Sequence, residues 1–416
     1  MNRLINITLF TLIAVFTINC TENKPMNTSK SAAEILGNPD YPAMCFGGFR
    51  ETTRDIVPSV NELKEDLRIM DAMGIKVLRT YNTTGDNQVA NLLQAIQELK
   101  VEKEAFEMYV MLGAWIQCYA EGDSVNHDLE NITSNRAEME EAIKLAKKYP
   151  DIVKMIAVGN EAMVHWQWYH VSPSIILKWV NYLQELKEKG ELQQDLWVTS
   201  SDNFASWGGG GMEYHKEDLN KLIEAVDYVA FHTYPFHDTH YTPDYWVRPD
   251  TIEYESNLDA AKDGMKRAKD YAVSQYQGVK AYVESLGIEN KPIHLTETGW
   301  ASVTNELYGD DGSRAADEYK QKLYYDQILE WSEKEGVTCF YFQIFDEPWK
   351  DANNPLGSEN HFGLIDINGQ AKYAIWDLVD QGVFEGLERG GNPITKSFNG
   401  DEEELMQTVL PPKTFE

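Results

Sequence analysis

The chain alternates between two hydrophobic periods. Short continuous apolar runs, the pattern of a strand buried on both faces, are separated by stretches whose apolar residues return every three or four positions, as on one face of a helix. The runs predict strands over residues 43–50, 75–81, 108–116, 155–161, 196–201, 228–235, 293–297 and 338–345. Between them the helical period predicts helices over 60–73, 86–104, 134–149, 173–189, 219–226, 257–286 and 314–335, with an eighth near 373–384. Local punctuation agrees. Ser59 and Glu62 have capping-box spacing ahead of Leu63, Leu67, Met70 and Met73, and Ser172-Pro173 opens the helix through Leu177, Val180 and Leu183. Residues 117–132 read as a polar loop and 236–254 as a long aromatic-rich connection.

Eight strand and helix alternations match a (β/α)8 TIM barrel, because parallel neighbours must be joined by crossover helices. A doubly wound open sheet is the rival. The barrel is preferred because polar and aromatic residues stand at the carboxyl end of nearly every strand: Arg79, Tyr81, Trp115, Asn160, Glu161, Asp202, His232, Tyr234, Glu297, Trp300, Asp346, Glu347 and Lys350. On an open sheet they would spread along an edge, whereas closure makes them converge. A single catalytic barrel is expected over residues 41–399.

The flanks differ in character. Arg3, an apolar run from Leu4 to Ile18 and then Cys20 have the form of an export signal over residues 1–20, too short for a convincing membrane span. Cys20 stands where a bacterial lipoprotein is cut and acylated, so the expectation is export with a lipid anchor in the outer membrane. Residues 21–40 read as a flexible tether and the acidic 400–416 as a disordered tail. Cys45, Cys118 and Cys339 are an odd set on strand-like segments, read as buried thiols rather than a disulfide framework.

Charge narrows the partners. With 67 acidic against 37 basic residues the formal net charge is −30, a field that repels nucleic acid and anionic polymers and suits a neutral substrate. No Cys/His cluster has zinc spacing and no glycine-rich turn follows a strand as a phosphate cradle, so neither a metal nor a cofactor is expected.

Two strands deliver one glutamate each, in Gly159-Asn160-Glu161 and Thr296-Glu297-Thr298. Acetal hydrolysis needs such a pair, one carboxyl protonated to donate to the leaving oxygen and one ionised to attack the anomeric carbon. Carboxyl groups about 5 to 5.5 Å apart go with retention of configuration. The roles assigned are Glu161 as acid/base and Glu297 as nucleophile, with Arg79 and Tyr234 holding Glu297 ionised and Asn160 on the adjacent sugar hydroxyl. Trp115, Trp166, Trp168, Trp207, Trp246, Trp300 and Trp349 lie in or after strand ends, where indole faces stack on pyranose rings. His232 is given a supporting role.

These motifs are similar to those of the clan A glycoside hydrolases. Val77-Leu78-Arg79-Thr80-Tyr81, His232-Thr233-Tyr234-Pro235, residues 341–350 and His361-Phe362-Gly363-Leu364 resemble family 17, the β-1,3-glucanases. The resemblance implies retaining hydrolysis of a linear β-1,3-glucan such as laminarin, with Glu161 as proton donor and Glu297 as nucleophile. It also implies that Glu347 and Lys350 form a charged group beside the nucleophile. Long loops after the third, fifth and sixth strands depart from the compact plant pattern and leave endo or exo action open. Transfer to a sugar in place of water, another β-glucan linkage, and a glycan-binding lipoprotein without turnover are the alternatives.

Overall fold

The computed structural model describes residues 29–122 and 124–414. The expected export signal, Cys20 and the first part of the tether lie outside these. Eight parallel strands close into a barrel: β1 (Ala43–Cys45), β2 (Val77–Arg79), β3 (Tyr109–Ala114), β4 (Val153–Asn160), β5 (Trp197–Asn203), β6 (Val229–His232), β7 (Ile293–Thr298) and β8 (Cys339–Tyr341). β1 pairs with both β2 and β8, which seals the cylinder. Nearly every strand residue is buried, as a sheet wrapped by helices requires. The crossover helices fall where the apolar period placed them. Val60–Ala72 carries the capping box of Ser59 and Glu62, and Pro173–Glu188 begins at its proline.

Four expectations change. Residues 29–40 are not a tether: Ser31 and Glu34 cap the short helix Ala32–Ile35, whose Ala32 and Ile35 are fully buried, and Gly37 N–H donates to Thr338 Oγ1 at 2.7 Å. This segment packs against the amino ends of the strands. The tail is ordered to residue 414. Asp401 caps the helix Glu402–Gln407, and Leu405 and Val409 bury against Ala261, Tyr319 and Trp376. Its acidic run is only the exposed side of that helix. The loop at 117–132 contains a hairpin, Cys118–Glu121 with Ser124–Glu130, missed because its faces are exposed and carry no apolar alternation. The seventh crossover helix starts late, at Glu318, where Asp317 accepts from Lys320 N–H.

Cys45, Cys118 and Cys339 are buried free thiols, and burial pushes the Cys45 thiol up to about 12. No helix among the described residues is long and apolar enough to cross a membrane.

Candidate active site

β4 leaves the sheet abruptly. Gly159 has φ +87°, and a Cβ there would stand 2.8 Å from that of Ala162. Glu161 has φ 46°, a left-handed conformation that costs a non-glycine residue roughly 1–3 kcal/mol. It is held there because its N–H donates to Ser201 O on β5 at 2.9 Å. Glu297, by contrast, sits within β7. Two strands, β5 and β6, stand between β4 and β7 in the ring, and both contribute to the site.

The two carboxylates are set differently. Burial is the largest single influence on Glu297 and would push its carboxyl up, but the Arg79 guanidinium, the nearby His232 ring and a 2.7 Å bond from Tyr234 Oη to Oε1 together outweigh it. The net effect holds Glu297 down at about 2, against an ordinary 4.5. Arg79 Nη1 donates to Glu297 Oε2, and Nη2 donates to Asn160 Oδ1 and lies 3.4 Å from His232 Nε2. The Arg79 Cζ stands 4.7 Å from the centroid of the Tyr81 ring. Glu161 meets neutral partners. Oε2 accepts from Gln167 Nε2 at 3.0 Å, and Oε1 lies 3.2 Å from His232 Nδ1.

The far side of the His232 ring is 2.7 Å from Ser201 Oγ, itself 2.7 Å from Thr296 Oγ1. The His232 ring thus bridges Glu161 to Ser201 and Thr296, with each ring nitrogen able to donate or accept according to the tautomer.

Four expected rim residues point elsewhere, the first of them Asp346, buried and accepting from Gly363 N–H at 2.8 Å and Lys372 Nζ at 2.7 Å. Asp202 is buried: Oδ2 accepts from Met163 N–H at 2.7 Å and Oδ1 from Ser206 Oγ and Asn203 N–H. Burial, reinforced by the charge of Glu161, pushes its carboxyl up to about 7. It anchors the segment behind Glu161 and does not reach substrate. Trp300 is 0% exposed, donating from Nε1 to Ala315 O and packed between Phe236, Trp246 and Tyr324. Trp207 and Trp246 are equally enclosed, their Nε1 groups donating to Ala230 O and Ser313 O. Glu347 is buried and accepts from Phe49 N–H at 3.3 Å, its carboxyl pushed up by burial despite Lys350. Among the described residues, neither Glu347 nor Lys350 bonds to Glu297. Lys350 joins the cleft wall through aromatic rings, 4.7 Å from the Phe342 centroid and 5.9 Å from that of Tyr81. Trp115 is half-buried against Tyr169, with centroids 4.7 Å apart.

Three functional residues escaped the sequence. Gln167 and Ser201 carry no motif, and their roles follow only from where they touch Glu161 and His232. Glu138, in the helix Ile132–Lys148, accepts from Thr83 N–H, Thr84 N–H and Trp115 N–H, tying the loop after β2 to the end of β3. It is one of several glutamates in an acidic helix, so nothing distinguished it. No cluster of three or more His, Cys, Asp or Glu among the described residues is arranged to hold a metal.

A closed parallel barrel with an ionised, arginine-held glutamate and a second, neutrally partnered glutamate at its carboxyl rim defines a (β/α)8 glycoside hydrolase. The comparisons make this specific. Residues 43–363 match the BtgE/BtgC glycoside hydrolase domain, and the chain belongs to that family. It is 56% identical to an endo-laminarinase from Formosa Hel1_33_131, with a TM-score of 0.90 over 93% of this chain and 98% of that one. It is 24% identical to a probable glucan endo-1,3-beta-glucosidase btgC of Aspergillus fumigatus over 84% of this chain but only 44% of that protein. The chain thus spans less than half the length of that curated relative. A β-1,3-glucanosyltransferase of Rhizomucor miehei shares the fold, at 18% identity and a TM-score of 0.57 over 80% of this chain and 96% of that one.

Proposed function

We propose that the chain is a retaining endo-β-1,3-glucanase acting on laminarin-type glucan, with water as the final acceptor. The supporting observation is the unequal setting of Glu297 and Glu161. Glu297, held ionised by Arg79 and Tyr234, attacks the anomeric carbon while Glu161 gives its proton to the departing oxygen. Glu161 then takes a proton from the water that releases the sugar, and the His232 ring accommodates each form in turn. Asn160 has its oxygen engaged by Arg79, which leaves its amide N–H groups for the neighbouring sugar hydroxyl. The likeness to the Formosa endo-laminarinase supports the linkage and internal cleavage, and a net charge of −30 favours a neutral chain.

The test is digestion of laminarin, cellulose, mannan and pustulan with product sizing, and NMR of the first-formed anomer. Retained β-configuration and a ladder of oligosaccharides from laminarin alone are expected, with turnover abolished in Glu297→Ala. Products longer than the substrate would favour transfer, and full activity in Glu297→Ala would end the assignment.

Export and lipid attachment at Cys20 belong to the same proposal and rest on the sequence pattern of residues 3–20 alone. Mass spectrometry of the mature amino terminus is expected to find an acylated cysteine, and a start elsewhere without acyl mass would refute it.

A further inference from the structure

Most of the large apolar side chains in this barrel are covered, yet Trp166 and Trp168 are 62% and 63% exposed. They flank Gln167, the residue whose amide donates to Glu161. The backbone that carries them is tied down on every side. Met163 N–H is held by Asp202, His165 N–H by Tyr214 Oη at 3.1 Å, and Val171 N–H by Ala162 O at 2.7 Å. Cys118 N–H of the hairpin reaches Tyr169 O at 2.9 Å, and His127 stacks on His170 with ring centroids 3.5 Å apart. Two indoles are therefore kept in water on a fixed support, although covering large apolar rings is favourable. An occupant with a flat C–H face and polar edges, such as a pyranose, covers an indole without stranding its own hydroxyls.

Resting on the proposed glycosidase reading, we propose that Trp166 and Trp168 form the platform that binds the leaving portion of the glucan. The side follows from the chemistry. The general acid must reach the glycosidic oxygen, so sugars packed beside Glu161 and Gln167, away from Glu297, are those that depart with that oxygen. The hairpin Cys118–Glu121 and Ser124–Glu130 then acts as the buttress of this platform.

The experiment compares two substrates in wild type, Trp166→Ala, Trp168→Ala, the double variant and the corresponding Phe variants. Laminarihexaose places several sugars on the leaving side, whereas an aryl β-laminaribioside with a good phenolate leaving group places none. Losing each indole is expected to lower kcat/KM on the hexaose about tenfold and to change the aryl substrate by less than about twofold. The Phe variants are expected to recover most of the loss, with melting temperatures unchanged because the side chains are exposed. Equal losses on both substrates, no loss on the hexaose, or a change in oligomeric state without a substrate-dependent loss would overturn the proposal. Wild type that cleaves neither substrate would instead overturn the glycosidase reading itself.

Discussion

Replacing Arg79 by methionine keeps an unbranched stem and removes the guanidinium with its charge. Glu297 is held at about 2 against an ordinary 4.5, so at ~1.4 kcal/mol per pH unit the site favours the ionised carboxylate by about 3 kcal/mol. That is what remains after burial has opposed it, so the combined contribution of Arg79, His232 and Tyr234 is larger. Without Arg79, burial acts on Glu297 with only Tyr234 and His232 against it, and the carboxyl rises from about 2 toward its ordinary range. The acid limb of kcat/KM on laminarin, which in wild type is not set by Glu297 above about pH 3, is expected to move up toward the ordinary carboxylate range. Activity therefore falls more at pH 5 than at pH 7. Stability shifts with the same sign. A carboxyl lowered in the fold stabilises it above its unfolded value near 4.5, and this is lost as pH drops toward 2. Arg79→Met removes that increment and also leaves a buried charge without its partner, at a cost of about 3–5 kcal/mol near neutral pH. Melting curves at each pH separate unfolding from titration. A folded variant whose acid limb has not moved, or which loses the same fraction of activity at every pH, would refute the reasoning.

Further outcomes follow from packing. Trp300→Ala is expected to cost about 3–5 kcal/mol in denaturant unfolding, with a near-normal KM in the folded fraction; an unchanged midpoint with a raised KM would return Trp300 to the substrate cleft. Asp66 is buried between Arg50 and Arg389, so Asp66→Asn leaves Arg389 without a carboxylate and Arg50 with Glu65 alone, and is expected to cost about 3–5 kcal/mol. A loss under about 1 kcal/mol would show the network to be dispensable. Deleting residues 401–416 uncovers the cluster around Trp376 and is expected to lose about 2–4 kcal/mol for Leu405 and Val409 together, read by calorimetry. An unaltered melting temperature would mean that the tail does not pack.

The sequence by itself determined the eight strands, their crossover helices and the two glutamates. Each of these is written in local terms: an apolar run long enough to be buried on both faces, a period of 3.6, a carboxylate at a strand end. It also singled out Arg79 and Tyr234 as partners of Glu297, because strand ends converge in any closed barrel. Only the tertiary structure decided what each rim residue faces. Trp300, Trp207 and Asp202 stand at or after strand ends much as Glu161 does, yet they are buried by packing and hydrogen bonds, while Trp166 and Trp168 stay in water. Gln167, Ser201 and His232 became neighbours of Glu161 through a turn of the chain and through the two strands set between β4 and β7. Apart from that of Gln167, six positions from Glu161, these contacts join residues distant in sequence, and no periodicity along the chain records any of them.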